Sequence, residues 1–472
     1  MQPSSLSRAP QEWSPDSWRS RATHDGHPGR LAVAPYTDPD AVVRVEKRLA
    51  AMPPLVTSWE IENLKGLIAE AQEGRRFLLW GGDCAETFAD CTPEVITSKL
   101  KILLQMSLVL VYAGKRPVIR VGRVAGQYAK PRSSAAETRA GPDGAPLSLP
   151  SYFGDIVNGA AFEPDARRPD PERMVQAHQH AAMTLNFVRS LLDAGFADIH
   201  HPEYWDLGFL RQAGLHDELR QEYQRLTERV TDGLRFMDAM GSGPAHRLAQ
   251  SVGFFTSHEA LNLHYEAAHT RTVPRRAGYY NLSTHLPWLG WRTREAGGPH
   301  AEYLRGVRNP VGLKVGAEAR IDELLRLIDA INPSNEAGRL VLIARLGAKN
   351  VRRALPGLVE VVRRAGRRVL WVCDPMHGNT VTTSAGLKTR SFEDIRAELS
   401  EQWQVHRELG SGLGGVHVEL TGQDVTECLG GARGLREGDL AANYDTACDP
   451  RLNYEQSLEL AFVLARLMQG GA

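Results

Sequence analysis

The 472-residue sequence has no surplus of charge, no long apolar run and no ordered cysteine framework, and each absence removes a class of function. Its 56 Lys and Arg balance 56 Asp and Glu, so no global field draws it to a polyanion or a membrane surface. Nucleic acid is therefore not expected as the main partner, and phosphate chemistry would need cations gathered locally. The longest apolar run, around Leu108 to Ala113, is too short to span a bilayer. Five cysteines (Cys84, Cys91, Cys373, Cys428, Cys448) make neither a CxxC pair nor a regular framework. No signal-peptide pattern precedes them, so reduced thiols in the cytoplasm are expected.

What is present is an alternation of strand-like and helix-like runs. In Arg368–Asn379, RVLWVCDPMHGN, a buried-strand run leads straight into Asp374, Pro375, Met376 and His377, presenting a histidine at a strand's C-terminal tip. Similar runs occur at Phe77–Asp83, Pro117–Gly126, Gly253–Glu259, Tyr279–His285, Val311–Gly316, Arg339–Gly347 and Gly414–Gly422. Helical patterns separate several of them: one opened by a Thr57–Glu60 capping box, one from Thr92-Pro93 to Gly114, then Ile321–Ile331, Asn350–Arg364, a Ser391-capped stretch and a last helix opened by Asn453–Gln456. Eight such strands alternating with helices predict a (β/α)8 TIM barrel over residues 56–472, preceded by an N-terminal extension, residues 1–55. Residues 1 to about 35 read as an extended arm that Trp13 and Trp18 could pin down, and residues 132–150 read as a loop. Two helical patterns, one opened by Asp170-Pro171 and one from Asp217, form an insertion at about 165–240; ADIHH (Ala197–His201) inside it is not counted as a strand.

The residues at or just past the strand ends separate into two chemical sets. Cys84, His377, Glu419 and Asp449 are a thiol, an imidazole and two carboxylates, a mixed-softness donor set suited to Mn²⁺, Co²⁺, Fe²⁺ or Zn²⁺. Arg123, Lys130, Arg292, Lys314 and Arg345 are five cations aimed at the same mouth, which implies a small, highly anionic substrate. Each has a plainer alternative: Cys84 as a small buried residue, the cations as solvated or paired, Glu419 as an ion-pair partner. Those alternatives must hold independently at many strand ends. His178, His180, His264 and His417 read as surface or packing residues, with His258 and His285 open.

Six ordered motifs go further: Trp80–Phe88 (WGGDCAETF), Gly126–Ser133 (GQYAKPRS), Thr256–Glu259 (TSHE), Cys373–Asn379 (CDPMHGN), Thr426–Gly431 (TECLGG) and Cys448–Asn453 (CDPRLN). Together they resemble the class II, plant and actinobacterial type, 3-deoxy-D-arabino-heptulosonate 7-phosphate (DAHP) synthases over nearly the whole chain from about Trp13. The resemblance implies a divalent metal, most often Mn²⁺ or Co²⁺, and condensation of phosphoenolpyruvate with erythrose 4-phosphate at the start of the shikimate pathway. It places the metal on Cys84, His377, Glu419 and Asp449, phosphoenolpyruvate on Arg123, Arg292, Lys314 and Arg345, and the aldose phosphate on Lys130, Arg132 and Ser133. Lys130 or a metal-bound water is the implied proton donor to the new alkoxide. A homo-oligomer, dimer or tetramer, is implied too, with effector sites near the arm and the inserted helices.

The sequence departs from the family beside the substrate motifs. Trp291 and Gly297 each replace an acid around Arg292, Phe153 replaces an arginine, Gly253 a glutamate before TSHE, and Ala344 a serine before Arg345. Trp291 could still meet substrate through its backbone N–H. With the metal ligands intact, these changes suggest a paralogue that feeds an aromatic natural-product pathway or accepts a modified, amino- or imino-type aldose phosphate. A catalytically silent regulatory homologue and a metal hydrolase are the other classes; neither accounts for four ligands together with five cations.

Overall fold

Eight short runs of aliphatic and β-branched residues form parallel strands: β1 Phe77–Gly82, β2 Val118–Arg123, β3 Phe254–Thr256, β4 Trp288–Leu289, β5 Val311–Gly316, β6 Leu340–Arg345, β7 Leu370–Cys373 and β8 Leu413–Glu419. The computed structural model describes residues 12–22, 34–132, 134–140, 144–194, 221, 224–225, 228, 232 and 253–470. Apart from β3 and β4, each strand pairs with the next in chain order, and β8 pairs with β1. A parallel bridge between Glu259 and Trp288 joins β3 to β4, and the Trp288 N–H donates to the His258 carbonyl at 3.1 Å. The ring is closed, as expected of a (β/α)8 barrel.

Side-chain alternation then decides which residues meet inside. Leu78 and Trp80, Ile119 and Val121, Val341 and Ile343, and Leu370 and Val372 share one buried cluster with Phe255 and Trp288. Their period of two carries the same face onward to Arg123, Arg345, Asp374 and, on β8, His417 and Glu419. The barrel is apolar through most of its length and charged at its C-terminal end. Leu64, Ile68 and Ala71 of the helix Ser58–Gln72 join that inner cluster from the opposite end and plug it. That helix opens with the expected capping box, Thr57 Oγ1 accepting from the Glu60 N–H and Glu60 from the Thr57 N–H.

Most expected helices form where their caps stand: Pro93–Gly114, Ile321–Ile331, Val351–Arg364, Phe392–Glu408 and Tyr454–Met468. Pro93–Gly114 is long and apolar enough to cross a membrane by length and composition, yet its apolar positions are packed in the layer outside the strands. The insertion supplies Glu172–Asp193; the expected helix from Asp217 and the ADIHH segment lie largely outside the described residues.

Two expectations are corrected. Tyr279–His285 is not a barrel strand: Tyr279–Asn281 pairs antiparallel with Thr270–Thr272, and β4 is Trp288–Leu289. The Asn309 amide binds the Asn281 and Thr284 carbonyls and diverts that stretch from the ladder. The loop at 132–150 contains an antiparallel ribbon, Ala136–Ala140 with Pro146–Pro150. The described part of the arm is pinned through the two expected tryptophans: Trp18 is buried, and Trp13 donates to the Glu302 carbonyl at 2.9 Å while its ring fills the space over Gly306. A helix, Pro39–Ala51, with Asp38 as N-cap, follows within the extension.

Candidate active site

Register puts Gly82 of β1 level with both Arg123 of β2 and Glu419 of β8, so these two side chains meet across a residue with no side chain of its own. The Arg123 guanidinium donates to Glu419 Oε1 at 2.8 Å and to the Asp83 and Cys84 carbonyls at 2.7 and 3.0 Å. Arg390, fully buried, lies 2.7 Å from Glu419 Oε2. Burial alone would raise Glu419, but His377, Arg390 and Arg123 hold it well below the usual carboxylate range.

His377 comes from the turn after β7. Asp374 accepts from the Met376 and His377 N–H groups and lies 2.8 Å from His377 Nδ1. A proton on Nδ1 held by that carboxylate leaves the Nε2 lone pair facing Glu419 Oε1, 3.0 Å away. Ligand atoms of His377, Glu419 and Asp449 lie within 4.8 Å of one another, as do those of Cys84, Cys448 and Asp449. The two triads share Asp449, so the four residues expected to bind metal converge on one place. The donor set fits a divalent ion of intermediate softness: an imidazole already oriented by a carboxylate, two acids, and a thiol whose partner Cys448 is also free. Burial pushes the Cys84 thiol up, and contact with Cys84 draws Cys448 down.

The cations surround this cluster unequally. Lys314 bonds Asp374 and lies 3.1 Å from His417 Nδ1; burial lowers it, with Asp374 opposing. His417, expected on the surface or in packing, is fully buried, packed against Trp80 and Trp288 and lying between Lys314 and Arg123, and burial beside Lys314 keeps it well below the usual histidine range. Arg345 donates to the His377 carbonyl at 2.7 Å. Lys130 reaches the Ala447 carbonyl at 2.5 Å, above the loop that carries Cys448 and Asp449. Arg292 is exposed and donates to the Pro131 carbonyl at 3.2 Å. Arg132 is half-buried, 3.9 Å from Glu137, and Ser133 lies outside the described residues. Trp291 sits at the β4 end beside Arg294 and Arg345.

Sequence reading missed Asp374, His417, Cys448, Arg390 and Glu259. Asp374 and His417 could have been found from parity, being one inward step past Val372 and one before Glu419. Glu259 ends TSHE, its carboxylate lies over Gly290, and burial raises it although Lys314, Arg123 and His377 oppose this. Arg390 carries no local signal, because a distant segment brings it in, whereas Cys448 opens the CDPRLN motif one residue before Asp449.

Of the family departures, Gly297 lies at the surface with open space around it, and Ala344 packs outward among the aliphatics behind the strands. Phe153 is buried beside Ala129, and Trp291 stands at the rim.

The profile of the Class-II DAHP synthetase family matches residues 13–465. The chain belongs to that family. A phospho-2-dehydro-3-deoxyheptonate aldolase of Neurospora crassa is 44% identical over 469 residues, covering 96% of this chain and 94% of that protein. One from Streptomyces coelicolor is 45% identical over 432 residues (92% and 94%), and AroG of Mycolicibacterium smegmatis is 43% identical over 440 residues (92% of each). Among solved structures, a truncated DAHP synthase of Thermotoga maritima aligns over 84% of this chain and 88% of its own at 13% identity, TM-score 0.34, a likeness too weak to bear on the fold.

Proposed function

We propose that this chain condenses phosphoenolpyruvate with erythrose 4-phosphate to DAHP and inorganic phosphate, the first step of the shikimate pathway, with Mn²⁺ or Co²⁺ as its metal. The carrying observation is the convergence of Cys84, His377, Glu419 and Asp449 beside buried Arg123 and Lys314. Phosphoenolpyruvate brings a carboxylate and a phosphate toward a second phosphate, an approach that is repulsive without fixed countercharge. Arg123 and Lys314 offer that charge in a dry setting, with Arg345 and Arg292 nearer the rim; Lys130, Arg132 and Ser133 serve the aldose phosphate, and the Trp291 backbone N–H faces substrate. The bound metal supplies a Lewis acid to the aldehyde carbonyl.

C3 of the enol attacks that carbonyl carbon, the C2–C3 π pair becoming the new C–C bond; water adds at the electron-poor C2 with loss of a proton, and the C2–O bond to phosphate then breaks as the C2 hydroxyl gives up its proton and becomes the ketone. Lys130 is the proposed proton donor to the new alkoxide, since it stands above the Asp449 loop. A reducing cytoplasm suits the five free thiols, and a homo-oligomer is the assembly proposed.

The test is phosphate release and phosphoenolpyruvate consumption by metal-loaded protein given both substrates, with and without a chelator. Stoichiometric, metal-dependent turnover supports the reading, and its absence overturns it. Phe153 and Trp291 favour a second reading, an amino- or imino-type aldose phosphate as the preferred acceptor. A strong preference for erythrose 4-phosphate in the same assay removes it.

A further inference from the structure

After β4 the chain turns at Gly290, and the Trp291 indole comes to rest on the end of β5. A Cβ built on Gly316 would stand 2.9–3.0 Å from three atoms of its six-membered ring, so the ring lies directly on the backbone and a side chain there would displace it. Gly316 is the register partner of Arg345 on β6, which places the indole beside that arginine. The Arg345 Cζ is 5.9 Å from the ring centroid. Arg294 stacks on the same indole at 3.4 Å and donates to the Trp291 carbonyl at 2.8 Å.

Two guanidinium groups thus share one aromatic support. Arg294 has Glu323 at 3.8 Å, whereas among the described residues Arg345 has no carboxylate within ion-pair distance and donates to the neutral His377 carbonyl. An acid beside Arg345 would orient it and cancel its charge. An indole orients a guanidinium plane through its quadrupole and leaves the charge for an incoming anion.

We propose that Trp291 is a positioning residue: its ring holds the Arg345 guanidinium toward the phosphate of phosphoenolpyruvate. This rests on the reading of Arg345 given under the proposed function. The side chain acts on one substrate through Arg345, apart from any contact made by its backbone.

Steady-state kinetics of the metal-loaded enzyme, with each substrate varied in turn, test it. Trp291→Leu, which fills space without a π face, and Trp291→Ala are expected to raise KM for phosphoenolpyruvate about tenfold, with kcat and KM for the aldose phosphate changed less than about twofold. Trp291→Phe is expected to restore KM for phosphoenolpyruvate to within about threefold of the parent. In Arg345→Ala, adding Trp291→Leu should do nothing further, because the side chain to be positioned is gone. Leu and Phe variants with the same KM, or additive effects in the double variant, overturn the proposal while leaving the condensation reading standing. An Arg345→Ala enzyme with unchanged KM for phosphoenolpyruvate instead overturns the role of Arg345, and the inference falls with it.

Discussion

The two sides of the barrel mouth are built differently. On the metal side, β1, β2, β7 and β8 deliver Cys84, Arg123, His377 and Glu419, and a second layer of Asp374, His417 and Arg390 fixes them, almost all of it buried. On the side proposed for the aldose, Lys130 and Arg132 stand on turns, with a backbone carbonyl or a distant carboxylate for company. The contrast follows from where each side is anchored. Strand-borne groups inherit the register of the barrel, while turn-borne groups are set by the ligand they meet. The metal side is therefore expected to couple activity to folding, and the aldose side to change activity while leaving stability unchanged.

Glu419→Ala should give the largest effect. It removes a proposed metal ligand and leaves Arg123 and Arg390 buried without their acid, so a loss of about 1,000-fold or more in kcat/KM and about 3–5 kcal/mol of stability is expected. Denaturant unfolding beside steady-state kinetics measures both. A stable but inactive variant would show that the two sides do not differ in this way. Chelation should abolish turnover and lower Tm, with Mn²⁺ or Co²⁺ restoring both, because an ion that binds only the folded chain stabilises it by mass action.

A pH profile of stability sharpens the same comparison from behind the metal side. Glu398, buried, accepts from the Leu346 N–H at 2.8 Å and from the Asn379 amide at 2.8 Å, tying the β6 end to the turn that carries His377. Burial pushes it up to about 7 from the ordinary 4.5. Between those values the folded chain keeps a proton that the unfolded chain has released. The contribution is thus fully present below about pH 4.5 and lost as pH rises through about 7, amounting to at most about 3 kcal/mol. Glu398→Gln should flatten ΔG against pH in that window, as followed by denaturant melts at successive pH values.

How much of this was legible in the chain depends on how local the determinants are. Thr57, Ser391 and Asn453 cap their helices through bonds spanning three residues, so those boundaries could be read directly. The strand tips were legible because aliphatic runs end abruptly in a charged or metal-binding residue. The two-residue β4 was not, since its place depends on Asn309, a residue far along the chain, diverting the segment before it. Whether His417 sits on the surface or in packing was left open for a related reason: its neighbours Lys314 and Arg123 come from other strands, and only the parity of β8 marks it as inward.

The smallest effect is expected on the aldose side. Arg132 keeps 27% of its side-chain surface exposed, and its one ion pair among the described residues, to Glu137, is 3.9 Å long, a geometry that contributes well under 1 kcal/mol. Glu137 also has Arg167 at 3.0 Å, so removing Arg132 leaves no buried charge unpaired. Arg132→Ala should leave Tm within about a degree of the parent and raise KM for the aldose phosphate about three- to tenfold, with KM for phosphoenolpyruvate unchanged. Lys130→Ala should exceed it, lowering kcat as well if that ammonium delivers the alkoxide proton. Equal effects of the two variants, confined to KM, would assign both to phosphate binding and remove Lys130 from the proton transfer.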